Sequence, residues 1–178
     1  MIILGVDPGT KITGFGLIKF QNNELSYINS GLIRPLPQNN IGEKLEKIYD
    51  ELARIIRLYQ PTEFSLETAF YSKNVQSTLK IGYVRGISLL VSAHNNLNTF
   101  EYSPREIKKS VVGRGNATKE QVQFMIKKLL VIKKEKMTFD ESDALAAAIC
   151  HAFNINKNKP GSSTWKTFIK ENPNLIIN

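Results

Sequence analysis

The sequence predicts an α/β protein in which a five-stranded mixed sheet is flanked by helices. Short β-branched runs such as "IILGVD" end at turn signals, which is typical of buried strands. Longer segments place apolar residues three and four apart, the spacing of a helix that packs one face on a core. With 178 residues, of which 42% are hydrophobic, the chain is long enough for one domain with a substantial core.

Five segments have the length and composition of strands. The second and third are joined by the turn-like "QNN", which is short enough for an antiparallel hairpin. The predicted strands cover residues 2–7, 13–20, 24–33, 63–67 and 98–103.

Helices fill the rest of the predicted domain. An apolar stripe predicts a helix over residues 42–59, and similar spacing predicts another over 75–93. Two or three further helices are expected over 104–153. We expect one domain to span residues 1–153, and residues 154–178, rich in Asn, Lys, Pro, Gly and Ser, to form a poorly ordered basic tail.

Composition limits the classes of function. The 24 Lys and Arg residues exceed the 16 Asp and Glu residues, and this net charge of +8 favours a polyanionic partner, with nucleic acid ahead of a membrane surface. A basic surface that serves only solubility is the alternative. The one cysteine, Cys150, allows no intrachain disulfide and fits a reducing compartment. Because no apolar run approaches the ~20 residues of a membrane span and no cleavable leader precedes the first strand, we expect a cytoplasmic protein with no membrane partner.

Two carboxylates end predicted strands. Asp7 follows the apolar run of the first strand, and Glu67 closes the fourth. A carboxylate at the end of a buried strand loses hydration, so it requires a proton, a partner or a metal ion. If the two strands are adjacent and parallel, Asp7 and Glu67 lie side by side at the carboxyl edge of the sheet, where α/β proteins usually place their sites.

Two more carboxylates share one face of a predicted helix. Thr138 and Glu141 form a capping box that begins this helix, and Asp140 and Asp143 are three residues apart. Acidic residues in a first helical turn also stabilise the helix dipole, which is an alternative explanation for Asp140. That explanation suits Asp143 less well, because a run of small apolar residues typical of close packing follows it at once.

Carboxylates that converge repel each other unless cations neutralise them. Oxygen ligands in a chain with only two histidines favour Mg²⁺ or Mn²⁺ over Zn²⁺. A pair of such ions ~3.5–4 Å apart supports phosphodiester cleavage. Asp50, the remaining aspartate, lies opposite the apolar stripe of its helix and is expected to be solvated.

Four segments stand in order along the chain: "GVDPGTKITGFGLI", "SLETAFYSKN", "VVGRGNATKEQVQ" and "DESDALAAAICH". They resemble the successive motifs of the RuvC family of Holliday junction resolvases, to about residue 153. The resemblance implies an RNase H-like nuclease domain over residues 1–153 and a homodimer. It also implies an Mg²⁺-dependent endonuclease that resolves four-way DNA junctions by paired symmetric nicks in opposed strands during recombination and repair.

The resemblance further implies the site residues and partners. The acidic tetrad of the family falls on Asp7, Glu67, Asp140 and Asp143, as catalytic residues and as ligands of two Mg²⁺ ions per subunit, for which Mn²⁺ can substitute. The RuvA–RuvB branch-migration complex is the implied protein partner.

Four residues are candidates for DNA binding. The glycine-rich segment around Arg114 precedes a helix start, which is a good phosphate site, although a tight loop that needs glycine is an equal explanation. The resemblance places Lys108 and Lys119 close to the scissile phosphate. It also favours Phe70 as an aromatic that stacks on an unpaired base at the junction centre, where packing in the core is the usual alternative.

The remaining features are expected to be structural. His94 and His151 are predicted to be capping or solvated residues, and Cys150 a packing residue. The helix over 75–93 carries apolar residues and glycines that allow a second helix to approach, so it is the expected dimer surface.

Two other functions compete with a nuclease. A basic dimer could bind junctions without cutting them, although repelling carboxylates beside DNA are a liability unless metals are used. "DPGT" also resembles the first phosphate loop of actin-like ATPases and sugar kinases. Those proteins need two such domains and a second phosphate loop, for which this chain is too short.

Overall fold

A computed structural model describes residues 1–68, 75–133 and 135–157, without the side chains of residues 156 and 157. Strands and helices follow one another in this part of the chain in the order that the sequence predicts. They are β1 (Ile2–Asp7), β2 (Thr13–Gln21), β3 (Glu24–Ile33), α1 (Ile41–Tyr59), β4 (Glu63–Glu67), α2 (Val75–His94), β5 (Asn98–Tyr102), α3 (Pro104–Val112), α4 (Lys119–Leu129) and α5 (Phe139–Lys157).

The strands form one mixed sheet in the order β3-β2-β1-β4-β5. The first three pair antiparallel, and β4 runs parallel to both β1 and β5. The β2–β3 turn places Asn22 and Asn23 at φ 53° and 67°, the left-handed backbone that suits a two-residue hairpin. Because β1 and β4 are parallel neighbours with Val6 opposite Leu66, Asp7 and Glu67 end at the same edge of the sheet.

Helix α5 lies directly on β1 and β2. Gly5, Gly14 and Gly16 all face it, and a Cβ atom at Gly14 would clash with the carbonyl oxygen of Asp140. Residues 144–150 are fully buried in this contact. The small residues on both sides let helix and sheet approach closely, and this fixes the start of α5 against the ends of β1 and β2.

The opposite face of the sheet packs on α1 and α2. Leu4, Phe64 and Leu66 meet the apolar stripe of α1, of which Ile48 and Leu52 are fully buried. A capping box at Asn40 begins α1, and Gln60 ends it in the left-handed conformation just before Pro61. Both faces of the central strands are therefore covered by helices.

In the described part of the chain, three helices follow β5, in agreement with the two or three that the sequence predicts. The capping box predicted between Thr118 and Gln121 is present at the start of α4. Gly113 ends α3 at φ 83°, a conformation that glycine adopts without strain. Helices α3 and α4 pack beside α5 and share its core cluster.

Two sequence expectations are wrong at the end of α5. The helix passes the predicted boundary at residue 153 and continues to Lys157, because Phe153 packs on the core and Asn154 Nδ2 donates a hydrogen bond to the Cys150 carbonyl, 3.0 Å away. His151 is not solvated but only 1% exposed, among residues of β4 and β5. Cys150 is fully buried in the core, in keeping with the packing role predicted for it.

The rest of the predicted tail, residues 158–178, lies outside the described residues. His94 ends α2 and pairs with Tyr49, whose hydroxyl lies 2.8 Å from His94 Nδ1. Within the described residues, no helix is both long and apolar enough to cross a membrane.

Candidate active site

Four acidic residues lie near one another at the carboxyl edge of the sheet. Asp7 and Glu67 are the last residues of two adjacent parallel strands. The first turn of α5 lies over this edge, since Gly14 pairs with Asp7 and also abuts the backbone of Asp140. Asp143 lies one turn further along α5, and its negative charge raises the pKa of both Asp7 and Glu67. The fold therefore brings the four predicted residues to one place.

Burial and like charge disfavour ionisation of Asp7. Burial, as the largest influence, and the negative charges of Asp143 and Asp140 together raise its pKa to about 7. The Lys119 ammonium opposes this rise but does not cancel it. In the absence of another cation, Asp7 therefore keeps its proton at a much higher pH than an exposed aspartate does.

Glu67 is perturbed in the same direction. Its pKa is raised to about 8, chiefly by burial and also by the charges of Asp7 and Asp143, against the opposing charges of Lys119 and Lys108. Perturbed carboxylates that cluster at a sheet edge are typical of a functional site, although buried networks can also produce such shifts. The raised pKa values of both carboxyl groups favour the binding of a cation at this edge of the sheet.

The donor set fits a hard divalent cation. Within the described residues, Asp7 and Glu67 make no hydrogen bond or ion pair that would satisfy their oxygens. The described side chains, as they stand, do not bring three acidic, histidine or cysteine residues close enough to hold one ion. Carboxylate oxygens are the donors that Mg²⁺ and Mn²⁺ prefer.

Lys119 supplies a positive charge inside the site. It is the first residue of α4, and its Nζ donates a hydrogen bond to Asp143 Oδ2 at 2.7 Å. Burial lowers the pKa of Lys119, but the hydrogen bond and charge of Asp143, with the charges of Asp7 and Asp140, outweigh burial and raise it. The ammonium also lies 5.9 Å from the centre of the Phe139 ring.

The other predicted DNA-binding residues are placed less closely. Lys108 lies on α3, near enough for its charge to lower the pKa of Glu67. Arg114 is exposed in the loop between α3 and α4 and makes no described contact with the acidic residues. Phe70 lies outside the described residues, as does Tyr71 beside it.

Sequence reasoning missed two residues that shape the edge. Thr13 is fully buried, and its hydroxyl donates a hydrogen bond to the Gly9 carbonyl at 2.7 Å, which closes the loop that follows Asp7. Phe139 places its ring beside the Lys119 ammonium. The position of Phe139 directly before Asp140 is a sequence signal from which its place in the site could have been predicted. The sequence around Thr13 contains no such signal.

Comparison with known proteins shows the family to which the chain belongs. Residues 3–151 match a family model described as crossover junction endodeoxyribonuclease RuvC. The chain belongs to the RuvC family. It is 44% identical to the crossover junction endodeoxyribonuclease RuvC of Chloroherpeton thalassium, over 99% of this chain and 100% of that one. It is 40% identical to the protein of the same name from Cytophaga hutchinsonii, over 98% of this chain and 88% of that one.

Solved structures of the family have the same fold. The Thermus thermophilus RuvC structure, 24% identical, superposes with a TM-score of 0.80 over 88% of this chain and 96% of that one. The same protein in complex with Holliday junction substrate gives 0.81, over 87% and 94%, again at 24% identity. At this identity the likeness speaks for the fold, and the RNase H-like architecture expected from the sequence is confirmed.

The family settles the class of reaction. Cleavage of DNA crossover junctions, the function predicted from the sequence, is confirmed, whereas a non-catalytic binding module and an actin-like ATPase or sugar kinase find no support. Membership of this nuclease family also implies a dependence on divalent metal ions in general.

Proposed function

We propose that the four carboxylates at the sheet edge are the catalytic centre of a Holliday junction resolvase that makes paired symmetric nicks in opposed strands. The observation that carries this proposal is the convergence of Asp7, Glu67, Asp140 and Asp143 from two strands and one helix, in a chain of a junction endonuclease family. Four acids so placed would repel a DNA phosphate in the absence of metal, so the arrangement is suited to cation-assisted cleavage.

The tetrad holds two Mg²⁺ ions per subunit, with Mn²⁺ as a substitute. Such ions activate a water molecule and stabilise the leaving oxygen of a phosphodiester. The chain contributes by holding the four carboxylates on rigid elements. Asp7 and Glu67 release the protons that their raised pKa values of about 7 and about 8 would otherwise retain near neutral pH.

Three basic residues position the DNA. Lys119 lies within the acidic cluster and Lys108 lies beside it, and the charges of both act on Glu67. An ammonium in this place neutralises the scissile phosphate and the charge that develops during cleavage. Arg114, exposed in the neighbouring loop, contacts the DNA backbone farther from the reacting phosphate.

A homodimer supplies the second nick. On α2 several apolar side chains are exposed in the single chain, among them Val75 at 71% and Leu79 at 54%. A Cβ atom at Gly82 or Gly86 would meet nothing within 4 Å, so a partner helix can approach closely there. A two-fold dimer through α2 presents two acidic clusters, in keeping with the symmetry of a four-way junction.

Phe70 acts at the junction centre in this proposal. It follows Glu67 by three residues, and the chain enters its segment at Thr68, whose backbone N–H donates a hydrogen bond to the Tyr102 carbonyl at 2.9 Å. Stacking of an aromatic ring on an unpaired base contributes about 1–3 kcal/mol. Family membership also supports action in the cytoplasm with the RuvA–RuvB branch-migration complex as partner.

Cleavage of a synthetic four-way junction tests the proposed metal chemistry and symmetry. With each strand labelled in turn, we expect nicks at matching positions in two opposed strands in Mg²⁺ or Mn²⁺, and none in excess EDTA. Cleavage that survives EDTA would contradict the metal mechanism. Junction binding without cleavage in either metal would favour the non-catalytic alternative.

A second experiment tests the dimer and Phe70. We expect sedimentation to give a dimer at micromolar concentration, and Phe70→Ala to reduce junction cleavage far more than binding to linear duplex. Phe124, an aromatic on α4 that is 43% exposed, provides the control, and Phe124→Ala should resolve junctions normally. A monomer that resolves junctions normally with Phe70→Ala would refute both the dimer geometry and the role of Phe70.

A further inference from the structure

Lys119 lies inside the acidic cluster. Its Nζ is 2.7 Å from Asp143 Oδ2, and its charge acts on Asp7, Glu67 and Asp140 as well. Within the described residues, it is the only basic side chain with an ion pair to any of the four acids. The metal-free cluster therefore already has a counterion, and that counterion belongs to the chain itself.

Helix stability does not explain this position. Lys119 is the first residue of α4, and a cation at a helix N-terminus is unfavourable with respect to the helix dipole. The start of α4 is nonetheless fixed toward α5. Thr118 caps α4, Gln123 Nε2 donates a hydrogen bond to the Met137 carbonyl at 2.8 Å, and Val122 is buried in the core shared with α5. The attraction that compensates the unfavourable dipole comes from the carboxylates.

We infer that Lys119 is a built-in counterion that a divalent cation displaces from Asp143 when the site is loaded. The inference rests on the proposed function, because it takes Asp143 as a metal ligand. Two cations cannot share one carboxylate oxygen at contact distance without strong mutual repulsion. Metal loading thus releases the ammonium, whose side chain is 54% exposed and free to turn toward a phosphate.

This exchange couples metal loading to substrate binding. While Lys119 is bound to Asp143, the donor that would hold the phosphate is occupied. Once the cation takes Asp143, the ammonium is available beside the loaded centre. The same side chain therefore limits the charge repulsion of the empty site and serves DNA binding in the loaded one.

Calorimetric titration of the DNA-free protein with Mn²⁺ tests the exchange without any measurement of activity. Lys119→Met removes the competing charge at similar length, and we expect it to bind Mn²⁺ about tenfold more tightly than wild type, the order expected when a unit charge about 4 Å from a divalent ion is lost. Lys119→Arg keeps the charge and should stay within about threefold of wild type on the same reasoning.

Lys127→Met is the matched control. Lys127 lies two turns further along α4, where its Nζ donates a hydrogen bond to the Glu135 carbonyl, so its loss should leave the affinity for Mn²⁺ unchanged. If Lys119→Met unfolds without metal, Lys119→Gln provides a second neutral variant for the same titration.

Two results would overturn the inference. Unchanged or weaker Mn²⁺ binding by the neutral variants at position 119 would show that Lys119 does not compete with the metal. Equal tightening by Lys127→Met would show a general charge effect. Failure of the proposed function is distinguishable from both, because in that case wild type would bind no Mn²⁺ or Asp143→Asn would bind it as wild type does.

Discussion

Strand β4 carries a glutamate at each end, and both face α5. Glu67 meets the start of the helix, where Asp143 lies, and Glu63 meets the part of the helix that carries His151 two turns later. Between the two ends, the Ser65 hydroxyl donates a hydrogen bond to the Ala147 carbonyl at 2.7 Å. The same strand and helix thus place one acid near another acid and one acid near a histidine.

The end at Glu63 is built as a core contact. His151 is 1% exposed, its ring stacks on Phe100 with centroids 4.1 Å apart, and the Tyr102 hydroxyl lies 2.8 Å from Nδ1. Burial lowers the pKa of His151 to about 4, so the ring is neutral at pH 7. Its Nε2 is 3.7 Å from Glu63 Oε2, too far for a hydrogen bond, and neither atom has a hydrogen-bond partner among the described residues. Because the ring is neutral, this contact is not an ion pair near neutral pH.

The difference between the two ends separates function from structure. At Glu63 the fold buries an acid against a neutral ring, in aromatic surroundings that stabilise the core. At Glu67 it buries an acid among other acids, with a pKa raised to about 8. Only the second arrangement costs stability that a bound cation would restore, which is why we assign the chemistry to that end.

The largest expected effect is the loss of catalysis at the acidic end. Asp7→Asn, Glu67→Gln, Asp140→Asn and Asp143→Asn should each abolish junction cleavage in Mg²⁺ while leaving junction binding largely intact. Each change removes the charge of a metal ligand without adding bulk, and reduces repulsion toward phosphate. Single-turnover cleavage and a binding titration measure the two effects. Asp50→Asn, on the exposed face of α1, is the control, and a strong effect there would mean that charge anywhere on the chain matters.

The next effect concerns the lysines beside Glu67. Lys108→Ala and Lys119→Ala should each lower the cleavage rate by roughly a hundredfold, the loss typical when one electrostatic stabiliser of a transition state is removed. Lys128→Ala, at the far end of α4, should cleave nearly as wild type.

The affinity of the wild-type protein for a junction should weaken with salt, with a log–log slope of about −0.9 per duplex phosphate neutralised. A salt-insensitive affinity would mean that the net charge serves only solubility.

Stability should depend on pH in opposite directions at the two ends. Because the pKa of Asp7 is raised to about 7 in the folded chain, stability without metal is lost as pH rises from about 4 to about 8. The stability that Asp7→Asn gains over wild type should therefore be about 2–3 kcal/mol larger at pH 8 than at pH 5. Urea denaturation in EDTA measures this difference. Asp50→Asn should keep the wild-type dependence, and a wild type equally stable at both pH values would contradict the assigned cause.

At the other end, His151 should make folding stability depend on pH in the opposite direction. With its pKa lowered to about 4 by burial, it contributes stability above pH 6.5 that is lost as pH falls from 6.5 to 4.

The smallest expected effect is that of Tyr102→Phe, which removes the hydrogen bond to the His151 ring. This variant should lose about 1 kcal/mol of unfolding free energy, and its cleavage rate should stay within about twofold of wild type. Tyr49→Phe removes the analogous but exposed bond to His94 and should cost less. A large loss of cleavage with Tyr102→Phe would contradict the claim that the end of β4 at Glu63 is structural only.

The acidic end could be predicted from the sequence because its signals are local. Asp7 and Glu67 close apolar runs, and Asp143 is followed at once by small apolar residues, so each position is unusual within its own segment. The pairing of Lys119 with Asp143 could not be predicted, because it depends on how α4 and α5 pack. The burial of His151 was missed for the same reason, since Phe100 and Tyr102 reach it from a strand about fifty residues away.

Mn²⁺ binding to wild type, Glu67→Gln and Glu63→Gln tests the difference between the two ends most directly. The two variants make the same chemical change four residues apart on one strand, and the loss of the free Mn²⁺ electron paramagnetic resonance signal counts the ions bound per chain. Wild type and Glu63→Gln should bind alike, while Glu67→Gln should bind at least about tenfold more weakly, as expected when a charged ligand is lost. Equal binding by all three proteins would contradict the assignment of the metal site to the carboxyl edge of the sheet.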